Sequence, residues 1–171
     1  RDEAVRAIET GIEVAQAEID KGAVVLGTGD MGIGNTTPSS ALLAVFGGFS
    51  AEEVTGRGTG VSDETLALKA RVIKRAIEVN IPDKTDPVDV LAKVGGLEIA
   101  GIVGIILAAA ANRVPVVIDG FISSAGALVA SRLAPKSMNF VIPSHQSAEQ
   151  AHRLMLETIG LTPMLDMKMR L

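Results

Sequence analysis

The chain has 171 residues, of which 47% are hydrophobic, and a formal net charge of −4 at pH 7. This length can bury a core, whereas the lack of Tyr, of Trp and of any basic run excludes a typical nucleic-acid-binding surface. The chain has no cysteine, which excludes disulfide and thiolate chemistry and indicates a cytoplasmic location. Its longest apolar stretch, residues 99–111, is too short to span a bilayer, so no membrane association is expected.

The first part of the chain predicts a helix, a strand and a second helix in succession. Residues 2–21 carry apolar side chains at helical spacing, and Gly22 predicts the end of this helix. A short buried strand is expected at 23–26. A glycine-rich stretch then leads into a helix at about 38–46.

The glycine-rich stretch, residues 27–41, is the strongest functional signal from the residues alone. Its glycines let backbone amides approach a ligand, and the following helix adds unpaired N–H groups with a partial positive charge. Thr37 is the predicted N-cap and Pro38 the predicted first helical residue. We interpret the stretch as an anion site, with phosphate as the expected ligand, and a structural turn without a ligand as the alternative. The spacing matches neither the Rossmann fingerprint nor a Walker P-loop.

A second glycine-rich segment follows at 55–60, after one predicted helical turn at 51–54. Ser62 is the predicted cap of a long helix at about 63–79. Lys69 lies in this helix and could reach back to a phosphate held by the first glycine-rich stretch. The pattern alone favours a solvated lysine over this role.

Two further helices are expected in the middle of the chain. Asp86 predicts the start of the first helix, with a proline in its first position, and the second helix is expected at about 97–112. Glu98 stands alone at the beginning of that very apolar helix. The pattern favours a structural role for its carboxylate over a ligand-binding role.

Buried strands are also predicted at 114–118 and 139–142. Asp119 follows the first of these, and the carboxyl end of a parallel strand is where α/β proteins bind ligands. Its carboxylate could accept hydrogen bonds from a ribose. An equally good interpretation is that Asp119 caps a helix at 122–133.

Both histidines of the chain, His145 and His152, follow the last predicted strand. A spacing of seven residues is too long for two histidines of one helix to share a zinc ion, and no second motif supports a metal site. We therefore expect no metal. A helix is predicted from Ser147 to about 159.

The order of these elements predicts an α/β fold, a three-layer domain with a mostly parallel sheet. Three strands are few for so many helices, so we expect further chain to complete the sheet. The sequence also lacks an initiator Met. We interpret residues 1–171 as a single α/β domain that is a segment of a longer protein.

Several segments together resemble one family. They are residues 29–37, 56–60, 94–100, 119–121, 144–152 and 163–171. Over essentially its whole length, the chain resembles the nicotinate-nucleotide:dimethylbenzimidazole phosphoribosyltransferases, which act in the synthesis of the lower ligand of cobalamin.

This resemblance implies a cytoplasmic homodimer with a Rossmann-like large domain and a smaller helical domain that supplies flanking helices. The family transfers the phosphoribosyl group of nicotinate mononucleotide to 5,6-dimethylbenzimidazole. Nicotinate leaves, the anomeric carbon is inverted, and the product is α-ribazole 5′-phosphate. The resemblance implies no metal and no cofactor.

The matching motif positions imply a set of site residues. The implied substrate-binding residues are Gly32, Gly34, Asn35, Thr36, Gly58, Lys69, Asp119 and Ser147. The phosphate would lie on the glycines and Lys69, the ribose and base near Asp30 and Asp119, and Ser147 would approach from the opposite loop.

The chain departs from the family at the implied catalytic carboxylate. Asp30 stands where the family usually has glutamate, and the family's catalytic base is a glutamate in a Gly-Glu-Gly that directly follows a Met-Arg-Leu segment. This sequence ends at Leu171, the last residue of that segment. Asp30 is therefore the candidate catalytic residue within this sequence. Two other functions stay open: a non-catalytic phosphoribosyl-binding module, and a paralogue that activates a different base, such as another azole or a phenol.

Overall fold

A computed structural model describes residues 1–56, 62–147, 150–166 and 168. Among these residues, five successive helices separate the first two strands, and a 3₁₀ helix at Pro135–Phe140 precedes the last strand. The helices are α1 Asp2–Asp20, α2 Thr36–Gly47, α3 Ala51–Val54, α4 Asp63–Asn80, α5 Pro87–Val94, α6 Leu97–Ala111, α7 Phe121–Leu133 and α8 Gln150–Ile159. The strands are β1 Leu26–Thr28, β2 Val116–Ile118 and β3 Val141–Pro143.

The three strands form a parallel sheet in the order β1-β2-β3. In the central strand, Val116 is paired with Leu26 on one side and Val141 on the other. Helices flank the sheet, so the predicted mixed α/β class with a parallel sheet is confirmed. The parallel arrangement brings all three carboxyl ends to one edge.

The core is formed by aliphatic side chains from the helices and the central strand. Fully buried examples are Leu42, Leu43, Ile73, Ile99, Ile106, Ile118 and Leu128. Helix α6 lies between α1 and α7, and eight of its fifteen residues are buried. Because burial of α6 leaves little room for polar groups, its single charged residue, Glu98, stands in the first turn.

Helices α1 and α6 approach each other closely through glycines. A Cβ added to Gly11 would overlap the carbonyl oxygen of Gly101, and a Cβ added to Gly104 would overlap the carbonyl oxygen of Ile8. This contact sets the buried face of α1, which includes Gly11. Ile12, one of the apolar side chains at helical spacing within residues 2–21, is consequently 36% exposed.

The first strand begins later than predicted. Backbone bonds from Gly22 N–H to the carbonyl of Ile19, and from Ala23 N–H to the carbonyl of Glu18, close the end of α1. The chain therefore enters the sheet at Leu26, and the prediction of a strand at 23–26 is wrong.

The other two strands are also displaced toward their carboxyl ends. Val114 N–H donates to the carbonyl of Ala109, which keeps residue 114 on the end of α6, and β2 begins at Val116. The 3₁₀ helix extends to Phe140, so β3 begins at Val141 instead of at residue 139. Hydrophobic runs located these strands but not their first paired residues.

Helix starts were predicted correctly where a side chain makes the cap. The Ser62 hydroxyl accepts from the N–H of Thr65, and the Asp86 carboxylate accepts from the N–H groups of Val88 and Asp89. No helix in the described part of the chain is long and apolar enough to cross a membrane.

Two predicted helix starts were wrong. Helix α2 has Asn35 as its N-cap, so Thr37 and Pro38 both lie inside its first turn. Helix α7 has Gly120 as its N-cap without a side-chain bond, which contradicts the alternative that Asp119 caps it. The predicted start of α8 at Ser147 is not tested, because residues 148 and 149 lie outside the described residues and α8 is described from Gln150.

Candidate functional site

The carboxyl ends of β1, β2 and β3 form one edge of the sheet, here called the carboxyl edge. Asp30 lies two residues after β1, Asp119 directly follows β2, and Ser144 and His145 directly follow β3. Open parallel sheets bind ligands at this edge, because loops from several strands meet there beside helix N-termini. The carboxyl edge is therefore the candidate site.

The glycine-rich loop after β1 is organised by the Asp30 carboxylate. One oxygen, Oδ1, accepts from the N–H of Gly32 at 2.7 Å and from Nδ2 of Asn35 at 2.8 Å. Gly32 and Gly34 have φ angles of 77° and 80°, in the left-handed region that favours glycine. Asp30 thus shapes the loop through one oxygen atom, and these two glycines allow the chain to follow that shape.

Among the helices whose N-termini the structure describes, three begin at this part of the molecule without a side-chain N-cap. They are α2, α6 and α7, whose N-cap residues are Asn35, Gly96 and Gly120. The neighbouring helices α3, α4 and α5 each have a side-chain cap. An N-terminus without a cap keeps backbone N–H groups and partial positive charge available for an anionic ligand.

Lys69 brings a cation to the first turn of α2. Its Nζ donates to Oγ1 of Thr36 at 3.1 Å, across a separation of 33 residues in sequence. The bond is half-buried, so this lysine extends toward the glycine-rich loop and does not stand in solvent with its neighbours on α4. A cation beside a helix N-terminus is a suitable arrangement for a phosphate.

A cleft of about 500 Å³ opens beside the glycine-rich loop, between the N-terminal turns of α2 and α6. Its lining residues are Asp30, Met31, Ile33, Gly34, Asn35, Pro38, Gly96 and Glu98. Met31 is 85% exposed and Ile33 is 80% exposed, although both side chains are apolar. The cleft therefore offers apolar surface together with the two carboxylates of Asp30 and Glu98.

Glu98 is a site candidate that sequence reasoning assigned to a structural role. Its carboxylate lies against the Cα of Gly96, so closely that a Cβ on this glycine would overlap both carboxylate oxygens. The same carboxylate lines the cleft. A single charge at the start of an otherwise apolar helix was the available signal.

Asp119 and His145 connect the loops that follow β2 and β3. Oδ1 of Asp119 lies 3.8 Å from Nδ1 of His145, and the Ser144 hydroxyl lies 2.9 Å from the same nitrogen. The Asp119 side chain is 46% exposed, whereas that of His145 is buried. The Asp119 carboxylate is therefore accessible to a ligand at the carboxyl edge, while the buried His145 contacts it from the protein interior.

His152 is fully buried beside this pair and is held in one tautomer. The N–H of Ser147 donates to Nδ1 at 3.0 Å, so the ring proton must be on Nε2, which lies 2.9 Å from the Ser124 hydroxyl. Burial, assisted by nearby His145, lowers the pKa of His152 to about 4. The imidazole is therefore neutral at pH 7.

The two histidines are not arranged to share a metal ion. Their ring centroids are 6.1 Å apart at an angle of 66°, and His152 uses both of its nitrogens in hydrogen bonds. Among the described residues, no group of three or more His, Cys, Asp or Glu side chains is arranged to hold a metal ion.

Buried polar atoms without a protein partner concentrate at the carboxyl edge. In the described part of the chain, four of five such atoms belong to residues that end a strand, follow it, or begin the next helix. They are Thr28 Oγ1, Asn35 Oδ1, Ser123 Oγ and His145 Nε2. Buried polar groups normally have hydrogen-bond partners, so this concentration indicates that ligand or water atoms complete the site.

A segment near the end of the chain extends this edge. The N–H of Leu165 donates to the carbonyl of Ser144, and the N–H of Gln146 donates to the carbonyl of Leu165. Leu165 and His145 form a parallel bridge. Residues 164–166 consequently lie alongside the loop that follows β3.

The predicted site residues therefore fall into two described groups. The first group surrounds the glycine-rich loop and contains Asp30, Gly32, Gly34, Asn35, Thr36 and Lys69. Asp119 and Ser147 lie on the other two loops, and the Ser147 side chain is 2% exposed. Gly58 lies outside the described residues.

Known proteins similar to this chain share one family. A sequence-family model described as "Phosphoribosyltransferase" matches residues 1–171. The nicotinate-nucleotide–dimethylbenzimidazole phosphoribosyltransferase of Alkaliphilus metalliredigens is 59% identical over 167 residues, 98% of this chain and 48% of the relative. The protein with the same name from Geobacter sulfurreducens is 57% identical over 171 residues, 100% of this chain and 49% of the relative.

Solved structures give the same result. The crystal structure of CobT from Thermus thermophilus superposes with a TM-score of 0.93 at 43% identity, covering 99% of this chain and 51% of that one. A structure of nicotinate-nucleotide-dimethylbenzimidazole phosphoribosyltransferase from the same organism gives a TM-score of 0.90 at 40% identity, covering 99% and 50%.

The chain spans about half the length of the curated relatives that it matches. The match extends over all of its residues, and the resemblance stated from the sequence is confirmed. The chain belongs to the phosphoribosyltransferase family that includes the nicotinate-nucleotide–dimethylbenzimidazole phosphoribosyltransferases.

Proposed function

We propose that the protein containing this chain transfers the phosphoribosyl group of nicotinate mononucleotide to 5,6-dimethylbenzimidazole, giving α-ribazole 5′-phosphate and nicotinate. The observation that carries the proposal is the contrast between two neighbouring regions of the site. The first turn of α2 with Lys69 is suited to an anion, and the adjoining cleft combines apolar side chains with two carboxylates. A phosphoribosyl donor and an aromatic nitrogen base need such a pair of regions.

The phosphate of the nucleotide is proposed to bind at the anion-suited region. Backbone N–H groups of the glycine-rich loop and of the α2 N-terminus would donate to its oxygens, and Lys69 would supply the compensating charge. Lys69 already contacts Thr36, so it needs little rearrangement to reach a ligand there. Gly58 is proposed as a further phosphate contact from the family resemblance alone.

The acceptor base is proposed to bind in the cleft. Benzimidazole is planar and apolar with one N–H group, so its ring would contact Met31, Ile33 and Pro38. A carboxylate, from Asp30 or Glu98, could accept the N–H hydrogen bond. Contact with an apolar ring would also cover two side chains that are otherwise exposed to water.

The reaction requires alignment more than strong acid or base chemistry. The free ring nitrogen of the benzimidazole attacks the anomeric carbon while the bond from that carbon to the nicotinate nitrogen breaks. The leaving nicotinate takes the bonding electrons, which neutralise its ring nitrogen, and attack from the opposite face inverts the anomeric carbon. The acceptor's N–H proton then passes to a base, and Asp119 is proposed to hold the ribose during transfer.

Asp30 is the candidate base within this chain. Its Oδ1 already accepts two hydrogen bonds that shape the loop, so this oxygen is engaged in holding the loop. The family resemblance instead implies a glutamate that follows the 163–171 segment. We propose that Asp30 orients the acceptor base and that this glutamate, in the whole protein, receives the proton.

The full-length protein tests this proposal directly. It should release nicotinate from the mononucleotide when dimethylbenzimidazole is present, and mass spectrometry should identify α-ribazole phosphate. Glu98→Gln should raise the KM for the benzimidazole, while Lys74→Ala, on the exposed face of α4, should change nothing. Binding of the mononucleotide without transfer to any azole or phenol would support a binding module and contradict the proposal.

We also propose that the whole protein is a cytoplasmic homodimer, as the family resemblance implies. The chain has no cysteine, which agrees with a reducing compartment. Light scattering of the full-length protein should give twice the subunit mass. A mass of one subunit at micromolar concentration would contradict the dimer.

A further inference from the structure

We propose that His152 is a positioning residue that fastens together two loops of the carboxyl edge, the junction of β2 with α7 and the loop 144–147 after β3. The inference rests on the proposed function, because the ligand site is what these loops would shape. His152 is fully buried, so it acts through the residues that it holds.

The imidazole connects two elements that are distant in sequence. On one side, Nδ1 accepts from the backbone N–H of Ser147, which belongs to the loop after β3. On the other side, Nε2 meets the hydroxyl of Ser124, which lies in the first turn of α7, five residues after Asp119. A single side chain of α8 therefore links the segments that follow two adjacent strands.

A neutral histidine suits this position for a chemical reason. Neutral imidazole has one acceptor and one donor on the same rigid ring, and both are used here. A leucine would leave the Ser147 N–H buried without this acceptor, which is costly. Burial keeps the pKa near 4, so the ring retains its acceptor nitrogen at pH 7.

The fastened loop supports groups that face the ligand region. His145 lies within it and approaches the exposed Asp119 carboxylate at 3.8 Å. Residues 164–166 pair with the same loop through Leu165. Loss of the Ser147 hydrogen bond should therefore let His145 and residues 164–166 shift together. This shift would misalign the bound nucleotide, although no residue that contacts the ligand has been removed.

Three variants of the full-length protein separate the two halves of this link. His152→Leu removes both hydrogen bonds. His152→Asn retains an acceptor near the position of Nδ1 and should keep the bond from Ser147, whereas Ser124→Ala removes only the partner of Nε2. Met155→Ala is the matched control, because Met155 is also fully buried on α8 but makes an apolar contact.

Two measurements are needed, and the first does not depend on the ligand. Amide hydrogen exchange at Ser147, followed by NMR, should accelerate roughly tenfold in His152→Leu, the effect of losing one hydrogen bond of ordinary strength. His152→Asn should exchange at nearly the wild-type rate. Met155→Ala should loosen α8 without a selective change at Ser147.

The second measurement is steady-state kinetics with nicotinate mononucleotide. His152→Leu should raise the KM for the mononucleotide roughly tenfold, with recovery in His152→Asn and little change in Met155→Ala. Equal behaviour of the Leu and Asn variants, or accelerated exchange with an unchanged KM, would overturn the positioning role. A wild-type protein without turnover would overturn the proposed function instead, and exchange at Ser147 would then decide the inference about the link.

Discussion

Lys69 and Thr36 are 33 residues apart in the chain, yet the lysine ammonium donates a 3.1 Å hydrogen bond to the threonine hydroxyl. Thr36 is the first residue of α2 and follows the glycine-rich loop. The contact therefore adds a side-chain cation to a helix N-terminus that has no side-chain cap. Both features favour the same kind of ligand, an anion.

Loss of this cation should weaken binding of a phosphate-bearing ligand. In the full-length protein, Lys69→Ala should reduce the affinity for nicotinate mononucleotide by about 1.5–3 kcal/mol, the range for a hydrogen bond to a charged group. Nicotinate, which lacks the phosphate, should bind both proteins equally.

Titration calorimetry measures this difference, and Lys74→Ala is the control on the same helix, because Lys74 is exposed. An unchanged mononucleotide affinity in Lys69→Ala would show that the lysine holds Thr36 for structural reasons alone.

Gly34 should be required because of its backbone conformation, and not because a larger side chain would clash with neighbouring atoms. Its φ is 80°, but an added Cβ would meet no atom within 4 Å. Gly34→Ala should therefore impose backbone strain of roughly 1–2 kcal/mol and lower mononucleotide affinity while the fold remains intact. Gly34→Asn should be less harmful, because asparagine tolerates the left-handed region.

Gly27→Ala provides the matched control for Gly34, since it also has open space but lacks a positive φ. Calorimetric affinities and thermal midpoints of the three variants give the test. Equal affinity of Gly34→Ala and Gly27→Ala would contradict a role for the left-handed conformation.

The α1–α6 contact gives a prediction about stability. Gly104→Ala would push a Cβ into the backbone of α1 and should destabilise the protein by roughly 2 kcal/mol or more, as overpacking against a backbone cannot relax easily. Gly101→Ala lies on the same helix with open space and should be neutral or stabilising by up to about 1 kcal/mol.

Urea unfolding of the two α6 variants measures the difference. A similar free energy of unfolding for Gly104→Ala and Gly101→Ala would mean that the helices can separate at little cost.

Local chemistry explains which features could be predicted from the sequence. The caps at Ser62 and Asp86 involve bonds within three residues, so the pattern contained all that was needed. The first paired residue of β1 depends on β2, about ninety residues later, and on how α1 ends. Hydrophobic runs carry neither piece of information.

The candidate site divides in the same way. The glycine-rich loop was identified because its residues are contiguous. The sequence pattern favoured a structural role for Glu98. Its position in the cleft could not be predicted, because the cleft is formed by two helix N-termini about sixty residues apart in sequence. The partners of His152 come from α7 and from the loop after β3, so its neutral state could not be read from its spacing to His145.

His152 should also make stability depend on pH below neutrality. Its ordinary pKa of 6.5 applies in the unfolded chain, whereas burial lowers the pKa to about 4 in the folded protein. Between these values the unfolded state binds more protons, so the free energy of unfolding should fall as the pH drops from 6.5 to 4 and then level off. The total loss is about 3 kcal/mol at 1.36 kcal/mol per unit.

Carboxylates contribute to acid unfolding as well, so the histidine effect must be isolated by comparison with His152→Asn, which cannot titrate at this position. The wild-type protein should exceed the variant in stability most strongly above pH 7, and the difference should shrink by about 3 kcal/mol at pH 4. Urea unfolding at pH 7.5, 5.5 and 4.0 measures this. A difference in stability that is constant with pH would show that His152 has nearly its ordinary pKa in the folded protein. Burial would then not be what keeps Nδ1 unprotonated and able to accept the Ser147 N–H.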